Sequence, residues 1–275
     1  MYFAGRNYTN RECTIPWAAI APNILIDKNA PDYPFLNGTG FFCRLADGVR
    51  YYYVTALHCL EQGGYSGEIE DFPLLKVAYE TSLKSPIVSE DVRFEGFINV
   101  AHGDKNKPGA HEDALVYMVE ADLTLKQEET LRRRALVINN PQWYKSFFEK
   151  ISLRTKLRVI GYPKDSTTEA EILDGKARTQ RRFLWGYYSN DAHYLDRKAL
   201  DKLNWKGTDL IGFSGAPVLT QEYRLLGIQS IPVGIVLTGN SRRLEFLDMG
   251  RIADMILHLE RYGLDSKVPP FRYSY

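Results

Sequence analysis

A histidine and a cysteine lie together at the end of an apolar, strand-prone run, in the segment VTALHCL at residues 54–60. A histidine there either fills a core or acts as a general base, and a base needs a nucleophile. The segment GFSGAPV at residues 212–218 offers Ser214 in a glycine-rich turn that displays a hydroxyl. Serine is a poor nucleophile unless one group accepts its proton and another orients that group. His58 and Ser214 are therefore candidates for base and nucleophile.

The orienting role fits Asp113, which stands at the start of the apolar, strand-like run DALVYMV. Glu112 is adjacent, and Asp165, Asp191 and Asp209 are alternatives, but only Asp113 precedes a strand of this character. The chain order histidine, aspartate, serine is one of three orders in which such triads occur. The spacing thus favours acyl-transfer chemistry by His58, Asp113 and Ser214.

These motifs resemble those of the trypsin-like serine peptidases. VTALHC is similar to the family's T-A-x-H-C motif, GFSGAP to G-D-S-G-G-P and DALVYMV to the D-I-A-L strand, while GTGFF and VIGYP resemble strands of its intracellular and bacterial branches. The resemblance spans roughly residues 35–256. It implies an all-β fold of two perpendicular antiparallel β-barrels with a C-terminal helix. It also implies a catalytic cleft between the barrels and an oxyanion hole formed by the backbone N–H groups of Gly212 and Ser214.

The predicted organisation is a single peptidase domain over residues 1–275, whose parts are a first barrel at about 15–122, a linker and helix at about 123–152, a second barrel at about 153–246 and the C-terminal helix at about 249–262. Asn140 and Pro141 begin the linker helix, and Asp248 begins the C-terminal one, which ends at Gly263. Residues 165–210 are the least regular stretch of the sequence.

One departure from the family pattern concerns activation. Phe213 stands where zymogen-activated members have an aspartate that pairs with a newly cut N-terminus. Phenylalanine makes no ion pair, so we expect activity without an N-terminal cut and a turn held by packing of Phe213. Ala216 replaces the second glycine, a small change that the turn should tolerate.

Substrate preference is less well defined. By the resemblance, the floor of the specificity pocket lies at Thr208, with Phe213, Thr238 and Gly239 as further substrate-binding residues. Two segments, LLGIQSI and PVGIVLTG, compete for the pocket wall, and the second is favoured because LEFLDMGRI after it resembles the usual run into the terminal helix. The preferred substrate side chain is left open.

Composition excludes several other classes. The 35 basic and 34 acidic side chains leave a net charge of +1, which predicts no nucleic-acid partner and no membrane partner. The cluster of Arg178, Arg181 and Arg182 is interpreted as a solvated loop face, with nucleic-acid binding as a remote alternative. No signal-peptide pattern and no membrane-length apolar run are present in the sequence.

The cysteines and histidines predict neither disulfides nor metal. Three cysteines, Cys13, Cys43 and Cys59, are too few and odd in number for a disulfide framework, which favours a reducing, cytoplasmic setting. No histidine shares a metal-ligand spacing with cysteine or glutamate, so neither a metal nor a cofactor is expected.

The sequence thus predicts an intracellular serine endopeptidase that hydrolyses a protein or peptide substrate through an acyl-enzyme. By the resemblance, its activity would be restrained by narrow specificity or by a regulatory protein partner, as in prokaryotic stress and defence systems. The alternative is a catalytically silent protein-binding module on the same fold.

Overall fold

The structure is a computed structural model, and it describes residues 19–27, 30–61, 76–77, 92–101, 111–163, 171–173, 176–178, 181–193, 197–207, 210–224 and 227–264.

The described strands of the first half of the chain form one sheet. Its strands are β1 (Ile20–Asp27), β2 (Ala30–Leu45), β3 (Tyr52–Thr55), β4 (Lys76–Val77), β5 (Phe94–Ala101), β6 (His111–Val119) and β7 (Leu136–Ile138). Six of them follow the antiparallel order β4-β1-β2-β3-β6-β5, and β7 pairs with β2 in parallel. Strands β2 and β3 form a hairpin around residues 46–48, with Gly40 opposite Thr55.

Six of the described strands in the second half form a closed barrel. These are β8 (Lys156–Gly161), β11 (Arg182–Ser189), β12 (Arg197–Asp201), β13 (Pro217–Arg224), β14 (Gly227–Gly239) and β15 (Arg243–Asp248). Pairing of β8 with β11 closes the barrel, whereas no pairing among the described strands joins β4 to β5 in the first sheet. The predicted all-β class is confirmed. The segments LLGIQSI and PVGIVLTG compete for the pocket wall, and their described residues, 227–231 and 232–239, belong to the single strand β14.

The sequence patterns did not predict strands within residues 165–210, the least regular stretch of the sequence. This stretch contains β9 (Glu171–Leu173) and β10 (Lys176–Arg178), which form a small hairpin, and the barrel strands β11 and β12. In β11 the buried positions Leu184, Gly186 and Tyr188 alternate with more exposed ones. Aromatic residues lie on both faces of β11, so apolar and polar residues do not alternate in its sequence. The alternation of buried and exposed positions therefore could not be recognised from the sequence.

In the described residues, four helices connect or cover the sheets. They are α1 (His58–Glu61), α2 (Leu125–Arg134), α3 (Pro141–Lys150) and α4 (Met249–Tyr262). The two predicted helices are confirmed with their predicted caps: the Asn140 side chain accepts from the Trp143 N–H at 2.9 Å, and Asp248 accepts from the Gly250 N–H at 2.6 Å. Helix α2 was not predicted, although Thr124 and Gln127 form a capping box at its start.

One apolar cluster joins both halves of the molecule. It contains Phe41 and Val54 from the first sheet, Ile160 and Leu219 from the barrel, and the buried face of α4. That face includes Ile252, Met255, Ile256 and Leu259, each at most 2 % exposed. Helix α4 therefore packs against both sheets and fixes their relative position. None of the helices among the described residues is long and apolar enough to cross a membrane.

The docking of α4 can be tested by truncating one buried side chain. Ile252 is fully buried in the shared cluster, so Ile252→Ala is expected to lower the free energy of unfolding by about 2–5 kcal/mol. Leu257 on the same helix is 40 % exposed, and Leu257→Ala should change that free energy by less than about 0.5 kcal/mol. Urea unfolding of both variants measures the difference, and equal losses would contradict this packing.

Candidate active site

The register of two strands brings His58 and Asp113 together. Strand β3 pairs antiparallel with β6 so that Thr55 lies opposite Leu115. Two residues farther, the pairing continues with the Leu57 N–H donating to the Asp113 carbonyl at 3.4 Å. His58 follows at the start of α1, at the same end of the sheet. The local fold thus presents an imidazole and a carboxylate side by side.

Both oxygens of the Asp113 carboxylate contact His58. Oδ2 lies 2.6 Å from Nδ1 of the imidazole, and Oδ1 accepts from the His58 backbone N–H at 2.9 Å. Since a carboxylate accepts, Nδ1 carries the proton, and in the neutral ring Nε2 keeps a free lone pair. The side chains are partly open, with 33 % of His58 and 25 % of Asp113 exposed. This arrangement fixes the tautomer that a general base requires.

Two opposing effects act on the pKa of His58. Burial disfavours the charged ring and lowers the pKa, but the hydrogen bond and negative charge of Asp113, together with the adjacent Cys59, outweigh burial. The pKa of His58 therefore lies above the ordinary value for histidine. A raised pKa means that the imidazolium, which forms when the ring accepts a proton, is stabilised.

Ser214 lies in a turn whose backbone needs glycine. Gly212 has φ 94° and Gly215 has φ 82°, in the left-handed region that side chains with a Cβ rarely adopt. A Cβ on Gly215 would also overlap the Thr39 carbonyl oxygen. The two glycines therefore allow a tight turn pressed against strand β2.

The backbone N–H groups of this turn divide into two sets. Phe213, Gly215 and Ala216 donate to the carbonyls of Leu210, Val236 and Phe213 at 2.8–3.0 Å. Within the described part of the chain, the N–H groups of Gly212 and Ser214 donate to no acceptor. Two free donors on either side of Phe213, beside a serine, form the arrangement that stabilises an oxyanion.

The turn meets the first sheet directly. The Thr39 N–H donates to the Ser214 carbonyl at 2.8 Å, and the Cys59 thiol lies 3.5 Å from the same oxygen. Ser214 therefore lies beside the residue that follows His58. Among the hydrogen bonds of the described residues, none joins the Ser214 hydroxyl to the His58 imidazole.

Phe213 is a packing residue and not an open pocket wall. Its side chain is fully buried in the barrel core, where its ring meets the edge of Trp205 with the centroids 5.1 Å apart. A ring without exposed surface offers nothing to a substrate side chain, which corrects its assignment to the specificity pocket. The predicted packing of the turn by Phe213 is confirmed.

The other predicted pocket residues are placed as follows. Thr238 and Gly239 form the exposed end of β14, just past Val236, which exchanges hydrogen bonds with Gly215 and Ala216 of the turn. They therefore lie next to the turn that carries Ser214. Thr208 lies outside the described residues.

The sequence did not single out the side chain of Thr39. Its hydroxyl donates to the Gly212 carbonyl at 2.7 Å and accepts from the Tyr162 N–H at 2.9 Å. The signal was present, because Thr39 is the second residue of the GTGFF motif, but a motif gives no direction for a side chain. In the parts of the chain that are described, no group of three or more His, Cys, Asp or Glu side chains could hold a metal.

The effect of Asp113 on His58 predicts a measurable titration. Because the negative carboxylate favours the imidazolium, Asp113→Asn is expected to lower the pKa of His58 by at least about one pH unit. NMR titration of the imidazole resonances measures it. His258 is an internal reference, since burial and Arg261 lower its pKa independently of Asp113. An unchanged His58 titration would contradict this electrostatic account.

No protein-family model matches the chain, and no curated protein matches it. Solved structures do match. The protease Anisep from Arthrobacter nicotinovorans has a TM-score of 0.52 and 13 % identity, with 85 % of this chain and 90 % of that chain covered. The thermostable serine protease AL20 from an extremophilic microorganism has a TM-score of 0.52 and 14 % identity, with 88 % and 97 % covered. The chain therefore has the trypsin-like serine protease fold.

Proposed function

We propose that the protein is a serine endopeptidase in which His58, Asp113 and Ser214 form a catalytic triad. The single observation that carries the proposal is the 2.6 Å contact between Nδ1 of His58 and Asp113, next to a serine turn with two free N–H groups. A binding module would have no need for a fixed histidine tautomer beside unused backbone donors. The fold shared with serine proteases adds support.

In the proposed mechanism, Nε2 of His58 accepts the proton of the Ser214 hydroxyl while Oγ attacks the peptide carbonyl carbon. The resulting imidazolium is stabilised by the Asp113 carboxylate, consistent with the raised pKa of His58. His58 then protonates the leaving amine, and an acyl-enzyme remains. Water, deprotonated by His58, hydrolyses the ester and regenerates Ser214.

The negative oxygen of each tetrahedral intermediate would accept hydrogen bonds from the N–H groups of Gly212 and Ser214. Removing one such donor in other enzymes lowers kcat about 10²–10³-fold. Two preorganised donors would therefore contribute a large part of the rate enhancement. The Ser214 hydroxyl must turn toward Nε2 before reaction. Rotation about one side-chain bond changes its direction, and unoccupied sites commonly have looser geometry than reacting ones.

The substrate is proposed to be a protein or peptide. Its chain would lie near the exposed end of β14, and Thr238 and Gly239 would line the specificity pocket beside the turn. A reducing, cytoplasmic location is also proposed, since Cys43 and Cys59 are both buried free thiols. A regulatory protein partner remains part of the proposal.

The nucleophile is tested with a fluorophosphonate probe, which reacts only with an activated serine. The wild type should be labelled at Ser214, whereas Ser214→Ala and His58→Ala should lower the labelling rate by at least about 10³-fold. Ser152→Ala, at another serine whose hydroxyl donates to the Leu153 carbonyl, is the matched control and should label normally. A wild type that resists the probe would favour the catalytically silent binding module.

Activation without an N-terminal ammonium is tested at Phe213. Phe213→Asp buries a carboxylate in the apolar core at a cost of several kcal/mol, so labelling should be lost. Phe213→Leu keeps the site apolar and should retain most labelling, with melting temperatures recorded for both variants. Labelling of Phe213→Asp that disappears when the N-terminal amine is acetylated would reveal an ion-pair mechanism and contradict this account.

A further inference from the structure

We propose that Thr39 is a positioning residue, whose hydroxyl sets the geometry of the oxyanion-binding turn. This inference rests on the proposed function, because it concerns the two N–H groups assigned there. Thr39 lies on β2 of the first sheet and touches neither the substrate nor the reacting atoms. It would act through the backbone of residues 212–214.

Thr39 holds the turn at two carbonyls. Its hydroxyl donates to the Gly212 oxygen at 2.7 Å, and its backbone N–H donates to the Ser214 oxygen at 2.8 Å. The peptide unit that carries the Ser214 N–H lies between these two carbonyls. Fixing the carbonyl on each side limits rotation of that unit, and so fixes the direction of the N–H group. One residue therefore orients one oxyanion donor and anchors the residue that carries the other.

The hydroxyl is fully used and fully buried. It accepts from the Tyr162 N–H at 2.9 Å while it donates to Gly212, and Thr39 has no exposed surface. Tyr162 follows the end of β8, so one hydroxyl joins the first sheet, the barrel and the nucleophile turn. Buried hydrogen bonds of this kind resist rearrangement, because breaking one leaves an unpaired polar group away from water.

Thr39 is itself held by a chain of buried polar groups. The Thr55 hydroxyl donates to the Thr39 carbonyl at 2.9 Å, and the Asn23 amide donates to the Thr55 hydroxyl at 2.8 Å. The Tyr53 hydroxyl donates to the Asn23 carbonyl oxygen at 2.7 Å. All four side chains are buried. The network gives Thr39 a rigid base in the first sheet, which a positioning role requires.

This device explains how the turn is shaped although Phe213 excludes an ion pair. Neutral hydrogen bonds from Thr39 do not depend on a free N-terminus, and no group in the clamp titrates near neutral pH. Packing of Phe213 would fix the turn from the barrel side, and Thr39 would fix it from the opposite sheet.

The test compares Thr39→Val, which removes the hydroxyl at nearly constant volume, with Thr39→Ser, which keeps it. The limiting rate of fluorophosphonate labelling is expected to fall at least about tenfold in Thr39→Val and to stay within about threefold of wild type in Thr39→Ser. The probe concentration at half-maximal rate should be unchanged in both. Thr220→Val is the matched control, because Thr220 is a buried threonine on β13 and its loss should leave labelling unchanged.

A pH profile separates this role from general structural damage. In a plot of labelling rate against pH, the rate falls toward low pH as His58 becomes protonated. Thr39→Val should therefore lower the rate at every pH without shifting the pH at which this fall occurs. A shift of that pH, equal losses in the valine and serine variants, or a labelling rate within twofold of wild type in Thr39→Val would each overturn the proposal. If Thr39→Val does not fold, Thr39→Ala provides the same comparison with Thr39→Ser. Failure of the proposed function would look different, because the wild type itself would then resist the probe.

Discussion

The hydrogen bond from the Thr39 N–H to the Ser214 carbonyl joins the two halves of the molecule at the point where the site is built. His58 and Asp113 belong to the first sheet and Ser214 to the barrel, so their relative positions depend on how the two halves dock. The apolar cluster shared by β2, β8, β14 and α4 supplies most of the attraction, because it removes a large apolar surface from water. Apolar packing has little directionality, however. The hydrogen bond of Thr39 therefore determines how the first sheet is aligned with the turn that carries Ser214.

Burying polar groups at this junction is costly unless each is paired. Asn23, Thr39 and Thr55 are all buried in the first sheet, and each has a hydrogen-bond partner for its side chain. The neighbouring Asn37 is buried as well, and its amide contacts the Cys59 carbonyl. The network selects one arrangement, since a shifted register would leave several of these groups unpaired.

The contact between His58 and Asp113 could be anticipated from sequence motifs, whereas two strands of the barrel could not. The proposed triad lies in short motifs whose local shape is determined by neighbouring residues. Each motif contains a residue with a reactive side chain, His58, Asp113 or Ser214, so it can be recognised in the sequence alone. Strands β11 and β12 were missed because a barrel strand gains its stability from distant partners: β11 pairs with β8 and β12 with β15, which lie far away in the sequence. The role of Thr39 was hidden for the same reason, as its partners Tyr162 and Gly212 are 123 and 173 residues away.

Partial exposure of His58 and Asp113 follows from two competing requirements. A substrate must reach Nε2 of His58, so the ring cannot be fully buried, whereas full exposure would let water screen the charge of Asp113. With about a third of the His58 side chain and a quarter of Asp113 open to solvent, the carboxylate still holds the pKa of His58 above its ordinary value. A bound peptide would cover much of this remaining surface. The attraction between imidazolium and carboxylate would then be strongest when the proton has left Ser214, which is the stage of the proposed reaction that needs it most.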